Sequence, residues 1–283
     1  MIARLKADFP VSFLCQKFGV STSGFYEWSS GPVSASTIHH IELVDRVTEE
    51  FTRSHQMAGY RKVTAAIRRG GQRVNRKTVA RIMQELGLAS PIVTRSFSRA
   101  KARAARVKDP EDVLNRDFRS LVPGRLMVGD ITYVPTVQGW LYVATVIDLA
   151  SRAVLGFAAG ARMTTPLVIA ALEMARSTGL VTRGAVFHTD HGTQYRSKAF
   201  ANYCSAQGIH RSMGARMECW DNAVAESFFS KLKAERLDWN IFTTRDDAAS
   251  EVTQYIHHYN NERLHQSLDY ATPAEKLAQL TAA

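Results

Sequence analysis

Residues 186–195 read V-F-H-T-D-H-G-T-Q-Y, and residues 221–233 read D-N-A-V-A-E-S-F-F-S-K-L-K. The first stretch follows a short apolar run, Ala185 to Phe187, which predicts a strand that ends in a polar loop carrying Asp190. The second has helical spacing. Asp221 or Asn222 is placed to cap its start, and Val224, Phe228, Phe229 and Leu232 supply an apolar stripe. Glu226 lies on this helix, with 35 residues between it and Asp190.

A third acid stands upstream. Asp130 sits inside L-M-V-G-D-I-T-Y-V, residues 126–134, whose β-branched and aromatic composition predicts a strand. A carboxylate in mid-strand is costly to bury alone. A divalent cation shared with Asp190 would offset that cost. Hard cations such as Mg²⁺ favour one or two carboxylates together with phosphate and water oxygens. Two such ions can activate a water or hydroxyl and stabilise the leaving oxygen in phosphodiester chemistry. Taken singly, each acid also fits a plainer role: Asp130 as a strand-end acid, Asp190 as a turn former, Glu226 as a solvated helix residue. The three in one context favour the metal reading.

These segments resemble the Asp-Asp-Glu catalytic core of insertion-sequence transposases, which are related to retroviral integrases. The matching pieces are G-D-I-T-Y around Asp130, H-T-D-H-G-T-Q-Y around Asp190 and D-N-A-V-A-E-S-F-F around Glu226. Lys233 follows Glu226 by 7 residues, about two helical turns, so the two share a face. The resemblance covers nearly the whole chain and is closest to the OrfB proteins of the IS-three family. It implies a ribonuclease-H-like catalytic core in which Asp130, Asp190 and Glu226 are both catalytic and metal-binding, with two Mg²⁺ or Mn²⁺ ions. It implies a DNA transposase that cleaves and joins strands at insertion-sequence ends, water and then a DNA 3′ hydroxyl being the nucleophiles. The partners implied are the terminal repeats, target DNA, further copies of the chain, and an upstream reading frame fused before Met1. The alternative from another class is a DNA-binding regulator that keeps an integrase-like core without its activity. A nuclease of the same fold that does not join strands is a third reading.

The charge distribution supports a nucleic-acid partner. Lys and Arg exceed Asp and Glu by 10 over the 283 residues. Residues 1–110 hold 19 basic and 8 acidic side chains, and residues 111–283 hold 17 and 18, so the excess lies in the N-terminal part. A basic solubilising surface would give the same balance. Hydrophobic content of 45% and charged content of 22% are those of a soluble globular protein. No apolar run approaches the ~20 residues of a membrane span, and the first ten residues do not read as a secretion signal. Cys15, Cys204 and Cys219 are few and far apart, which excludes a disulfide framework or zinc-ligand pairing and favours a cytoplasmic setting.

Five regions are expected. Residues 1–30 form a small helix-turn-helix unit with the stripe Val11, Leu14, Cys15 and Phe18 and a turn at Gly19. It has the single basic residue Lys17 within residues 10–28, so packing and DNA contact both stand. Residues 36–88 form a better helix-turn-helix candidate. Its helices run from Ile38 to Phe51, Arg61 to Arg69 and Arg76 to Leu86, the last capped by Asn75 and closed by Gly87. Arg76, Lys77 and Arg81 lie where a recognition helix enters the major groove, and Arg61, Lys62, Arg68, Arg69 and Arg73 surround them. Residues 89–118 are a basic linker in which Arg99 and Arg103 are candidate backbone contacts. Residues 119–240 are the α/β core, a mixed five-stranded sheet covered by helices: three strands from Leu126, Leu141 and Val154, then alternating helix and strand. Residues 241–283 are a helical tail, with Tyr255, Ile256, Tyr259 and Leu264 facing the core.

Other polar residues compete for roles. Asp148 reads as a turn cap or a partner of Arg152. His188 and His191 lack the third soft ligand that zinc favours, so they shape the loop or touch DNA. Gln194 and Tyr195 contact DNA or pack. Lys233 and Lys231 hold a phosphate or are simply solvated. Arg263 and His265 pair with acids or contact DNA, with a structural clasp of the tail on the core favoured.

Overall fold

The computed structural model describes residues 1–30, 34–91, 122–213 and 223–282. The chain divides into two compact units, Met1–Glu50 and Phe51–Ala283. In the first, helices α1 (Ile2–Leu5), α2 (Val11–Phe18) and α3 (Thr22–Ser30) close on Ile2, Leu14, Cys15 and Phe25. Gly19 ends α2 at φ 65°, a left-handed cap that glycine adopts without strain. The expected stripe is corrected at one position: Phe18 is 47% exposed, because it lies at the end of α2, where the chain turns. Helix α4 spans Ala35–Arg53.

The second unit begins with helices α5 (Tyr60–Arg69) and α6 (Arg76–Glu85). Asn75 caps α6 by accepting the backbone N–H of Lys77 at 2.9 Å, as its sequence position predicts. Val63, Ile67, Val79, Ile82 and Met83 turn inward and are buried.

From Leu126 the chain builds a five-stranded sheet in the order β3-β2-β1-β4-β5. The strands are β1 (Leu126–Thr136), β2 (Gly139–Asp148), β3 (Val154–Gly160), β4 (Val186–Thr189) and β5 (His210–Met213). β1 pairs antiparallel with β2, and β2 with β3; β4 runs parallel to β1, and β5 parallel to β4. This is the mixed, helix-covered sheet of the ribonuclease-H-like fold.

Alternation along β1 sends its residues to two different cores. Leu126, Val128 and Val134 face α10 (Ala223–Glu235) and α11 (Arg245–Asn261), with Phe228, Leu232, Val252 and Tyr255. Met127 and Ile131 face α7 (Thr165–Ser177) and α9 (Lys198–Gln207), with Leu172, Phe187 and Phe200. The short α8 (Thr193–Arg196) follows the loop after β4, and α12 (Pro273–Thr281) closes the tail.

Two glycines allow this packing. A Cβ at Gly129 would lie 2.2 Å from the ring of Phe187, so the ring passes under β1 only because residue 129 has no side chain. A Cβ at Gly156 would lie 2.2 Å from the carbonyl oxygen of Ala171 and 2.4 Å from the nitrogen of Ala175, both backbone atoms that cannot swing aside. Gly156→Ala is therefore expected to force α7 off β3 and lower the unfolding free energy by about 1–3 kcal/mol or more. Urea titration of the two proteins measures it; an unchanged midpoint would show that α7 moves without cost.

Candidate active site

The parallel pairing of β1 and β4 ends at Gly129 opposite Thr189. The residue that follows in each segment is an acid, Asp130 on β1 and Asp190 just past the end of β4, so the sheet brings two sequence-distant acids to neighbouring backbone positions, the usual strand spacing being about 4.8 Å. Asp130 Oδ1 accepts the backbone N–H of Ile131 at 2.8 Å, and Asp190 Oδ1 accepts that of Gly192 at 2.9 Å. The second contact folds the loop after β4 back on its acid. Asp130 is half-buried and Asp190 exposed.

Glu226 lies in the first turn of α10 and is half-buried. It is close enough to act on Asp130 electrostatically. Burial, with the like charges of Asp190 and Glu226, pushes the Asp130 carboxyl up to about 7, against the opposing effects of the Ile131 N–H and Lys233. Lys233 thus belongs to the same neighbourhood, and its ammonium lies over the ring of Tyr133, 4.9 Å from the centroid.

Among the described residues, no three His, Cys, Asp or Glu side chains are grouped closely enough to hold a metal ion. The three acids share an electrostatic neighbourhood without closing into a three-ligand cage. The donor chemistry nonetheless fits a hard divalent cation. Two carboxylates stand side by side, one of them held against its preferred charge, and Mg²⁺ takes its remaining ligands from phosphate and water.

This arrangement has a consequence for stability with divalent ions chelated. An unfolded Asp titrates near about 3.9. The folded state therefore binds the extra proton between about 4 and about 7, and Asp130's contribution to stability is greatest at the acid end and lost as the pH rises through 7. In EDTA at pH 8, Asp130→Asn is expected to melt above the parent, with the gap closing toward pH 4. A variant that melts at or below the parent at pH 8 would show that the charge is not costly where it sits.

Several expected contacts are placed elsewhere. Tyr195 is 2% exposed and packs with Phe187 and Phe200, at centroid distances of 6.2 and 5.6 Å, so it supports the acids from beneath, the packing role its position left open. Burial, then the charges of Asp130 and Asp190, keep its hydroxyl protonated well above the usual tyrosine range. Gln194 donates to the carbonyl of Met163 at 3.0 Å, tying the loop to the start of α7. His188 is fully buried and its Nδ1 pairs with Ser212 Oγ at 2.9 Å, joining β4 to β5. His191 is exposed. Asp148 is buried and accepts from the N–H groups of Gly124 and Ser151 and from the Ser151 hydroxyl, the turn-capping role its position predicts.

On the helical segment, Arg68, Arg73, Arg76 and Lys77 line an open cleft of about 600 Å³ with Val74 and Asn75. Arg68 also donates twice to the Val74 carbonyl, which fixes its guanidinium at the rim. Arg61 lies over Tyr60, Arg81 pairs with Glu85 at 3.7 Å, and Arg69 pairs with Glu275 and donates to the Tyr270 carbonyl. Arg69 is thus a link to the tail and not a free phosphate ligand. Lys62 is half-buried near Glu235, Arg263 and Lys231. Arg99, Arg103, Cys219, Asp221 and Asn222 lie outside the described residues.

Sequence reading missed Glu235. Its carboxylate takes Arg263 in a fork, with Nε at 2.9 Å and Nη2 at 2.5 Å, and the Tyr255 hydroxyl at 3.0 Å. The signal was present: Phe228, Leu232 and Glu235 follow the i, i+4, i+7 spacing of the buried stripe, so the acid falls on the inner face. His265 is buried against Tyr259, as a clasp residue would be. Leu264 follows the end of α11 and is not part of its stripe.

Residues 121–219 and 207–273 each match an integrase core domain family, and residues 40–96 match an HTH-like domain. The chain is 37% identical over 269 residues to "Transposase InsF for insertion sequence IS3A" of Escherichia coli (strain K12), covering 93% of this chain and 92% of that one. It is 33% identical to "Insertion element IS600 uncharacterized 31 kDa protein" of Shigella sonnei, covering 95% and 100%. Among solved structures, "Structure of the HTLV-2 integrase catalytic core domain in complex with magnesium (trimeric form)" aligns with a TM-score of 0.44 at 19% identity, over 56% of this chain and 98% of that one.

Proposed function

The chain belongs to the transposases of the IS3 insertion-sequence family, and on that premise we propose that it cleaves and joins DNA strands at insertion-sequence ends through Asp130, Asp190 and Glu226. The observation that carries the assignment is the half-buried Asp130 carboxyl, pushed up by burial and by the charges of the other two acids. A structural acid so placed would be expected to have a basic partner within hydrogen-bond reach; on Asp130 the like charges of Asp190 and Glu226 each outweigh the charge of Lys233, whose ammonium lies over Tyr133.

Asp130 and Asp190, on adjacent strands, would hold divalent cations between them, and Glu226 would complete the second position from α10. Two ions, Mg²⁺ or Mn²⁺, would supply Lewis acidity to a phosphodiester. The chain's own contribution is to present three carboxylates on rigid elements. Lys233, held over Tyr133 and felt by Asp130, would seat a phosphate beside them. The cleft of Arg68, Arg73, Arg76 and Lys77 would take the DNA backbone, with residues 36–88 as the end-binding domain, residues 89–118 as a basic linker carrying Arg99 and Arg103, and residues 119–240 as the catalytic domain. Further copies of the chain on the two ends, and an upstream-frame protein, are the remaining partners.

The test is an oligonucleotide assay with a labelled insertion-sequence end and a target duplex. Nicking and joined product are expected with Mg²⁺ or Mn²⁺ and none in EDTA. Binding without either product in any divalent ion would instead identify a regulator, and nicking without joining would identify a nuclease.

A further inference from the structure

Below the Asp-Asp-Glu face, α5 of the helical segment and α10 of the core bring a second group of charges together. Glu235 is the one acid in it, and both of its oxygens are engaged by Arg263 and the Tyr255 hydroxyl. Two lysines remain. Among the described residues, neither Lys62 nor Lys231 makes an ion pair, and the hydrogen bond of Lys231 is to Ser227 Oγ at 2.5 Å. Each feels Arg263 and Glu235, and Lys62 feels Lys231 as well; burial first, then the Arg263 charge, brings both lysines down to about 8.

His265 belongs to the same group. It is 5% exposed, and its Nε2 has no hydrogen-bond partner among the described residues. Burial and the charges of Arg263, Lys231 and Lys62 hold the ring neutral, down to about 3. A neutral imidazole protonated at Nε2 is a donor that carries no extra charge. Partly desolvated cations in excess over acids are costly, and the cost is removed by an anion with several oxygens.

We propose that Lys62, Lys231 and His265, set around the Arg263–Glu235 pair, form a second anion site that holds one backbone phosphate of bound DNA. The site is separate from the catalytic acids. Lys231 is five residues after Glu226, so it projects about 140° around the helix from it, whereas Lys233 returns to the Glu226 face. A phosphate here would be gripped from both sides, by Lys62 of the helical segment and Lys231 of the core. DNA engagement by one segment would thereby set the position of the other. The proposal rests on the DNA-binding part of the reading above and not on its chemistry.

The experiment uses the full chain in EDTA, a fluorescent duplex carrying the insertion-sequence end, and a KCl titration. Lys62→Met and Lys231→Met keep most of the apolar stem and remove the charge. Each is expected to weaken binding about 10-fold or more, in keeping with a lost charge-assisted hydrogen bond. The slope of log affinity against log salt is expected to fall by about one, as for one phosphate contact. The double variant is expected to lose little more than either single, because both lysines serve one phosphate, and to melt no lower than the parent. Affinity and slope unchanged in the double variant would overturn the site, and so would a melting temperature lowered as far as that of Arg263→Ala, which would make the lysines structural. Inorganic phosphate is the second probe. If it raises the parent's melting temperature above matched chloride while the variants bind DNA normally, the site takes free phosphate and the DNA assignment is overturned. A parent that does not bind the duplex overturns the functional reading itself.

Discussion

Asp130→Asn, Asp190→Asn and Glu226→Gln are each expected to reduce strand transfer by more than about 100-fold while leaving end binding within a few-fold of the parent. Loss of an outer-shell partner of a metal ligand commonly costs 10–100-fold, and a direct ligand should cost more. All three replacements keep the shape of the side chain and remove only its charge, so packing on β1, β4 and α10 is preserved. The expectation is strongest for Asp130. Its carboxyl is half-buried, and the like charges of Asp190 and Glu226 act on it there. An amide at residue 130 would relieve that repulsion, so the same substitution that removes activity should stabilise the metal-free protein at pH 8. A structural acid would give the reverse pairing, lost stability with retained activity. Near-parent strand transfer in any one of the three variants would refute the triad. Retained end binding without strand transfer in the parent would point to the regulator reading. The measurement is joined product per protein at saturating Mg²⁺, with anisotropy on the same preparations as the binding control.

The elements of the core were legible in the sequence because period and termination agree there. The helix Lys198–Gln207 has the boundaries that its spacing predicts, Ser197 caps it through the Phe200 N–H, and Gly208 ends it at φ 68°. β1 runs to Thr136, two residues past the apolar stretch 126–134 that predicts it. β4 ends at Thr189, so beyond Gly129 β1 has no β4 partner and meets Phe242 only in a bridge at Thr136; Pro135 sits on that stretch opposite Trp140. An edge strand tolerates the missing N–H.

Site residues divide along similar lines. Asp130 stands out in the sequence because it puts a charge inside an apolar strand, and Asp190 and Glu226 stand out through the stretches around them, H-T-D-H-G-T-Q-Y and D-N-A-V-A-E-S-F-F. For Tyr195 the sequence leaves DNA contact and packing equally open, because its polar loop does not show the space beneath β1, left by Gly129, that draws Phe187, Tyr195 and Phe200 into one aromatic group. The neighbourhood of Lys62 and Lys231 has no local signal at all. Those residues lie far apart in sequence and meet only when α5 packs near α10, a tertiary fact that no spacing rule contains.

Breaking the Arg263–Glu235 pair from one side is expected to be the most destabilising change in the core, about 3–5 kcal/mol for Arg263→Ala or Glu235→Ala. Both side chains are nearly inaccessible, at 9% and 5% exposure, so Glu235→Ala would strand a buried guanidinium beside Lys62 and Lys231, and Arg263→Ala would leave Glu235 without its hydrogen-bonded partner. Burial alone would raise the Glu235 carboxyl, yet the Arg263 fork, with Lys62 and the Tyr255 hydroxyl, wins and holds it below the usual range. Such a lowered carboxyl contributes stability that is present above the ordinary carboxylate pKa and lost as the pH falls through the folded value. The parent should therefore lose part of its unfolding free energy below about pH 4, and Glu235→Gln, which has no such charge to protonate, should show less of that acid sensitivity. Glu235→Ala has a further cost, since the Tyr255 hydroxyl loses its acceptor in a buried site. Replacing both partners at once by Arg263→Met and Glu235→Leu should cost much less than the sum of the two alanine changes, because no charge is then stranded. Urea unfolding of the four proteins at pH 7.5 and pH 4 measures these terms. Additive losses in the double replacement would mean that the pair acts through two independent contacts. The clasp between α10 and the tail would then be apolar packing around Tyr255 and Tyr259, and not the ion pair at its centre.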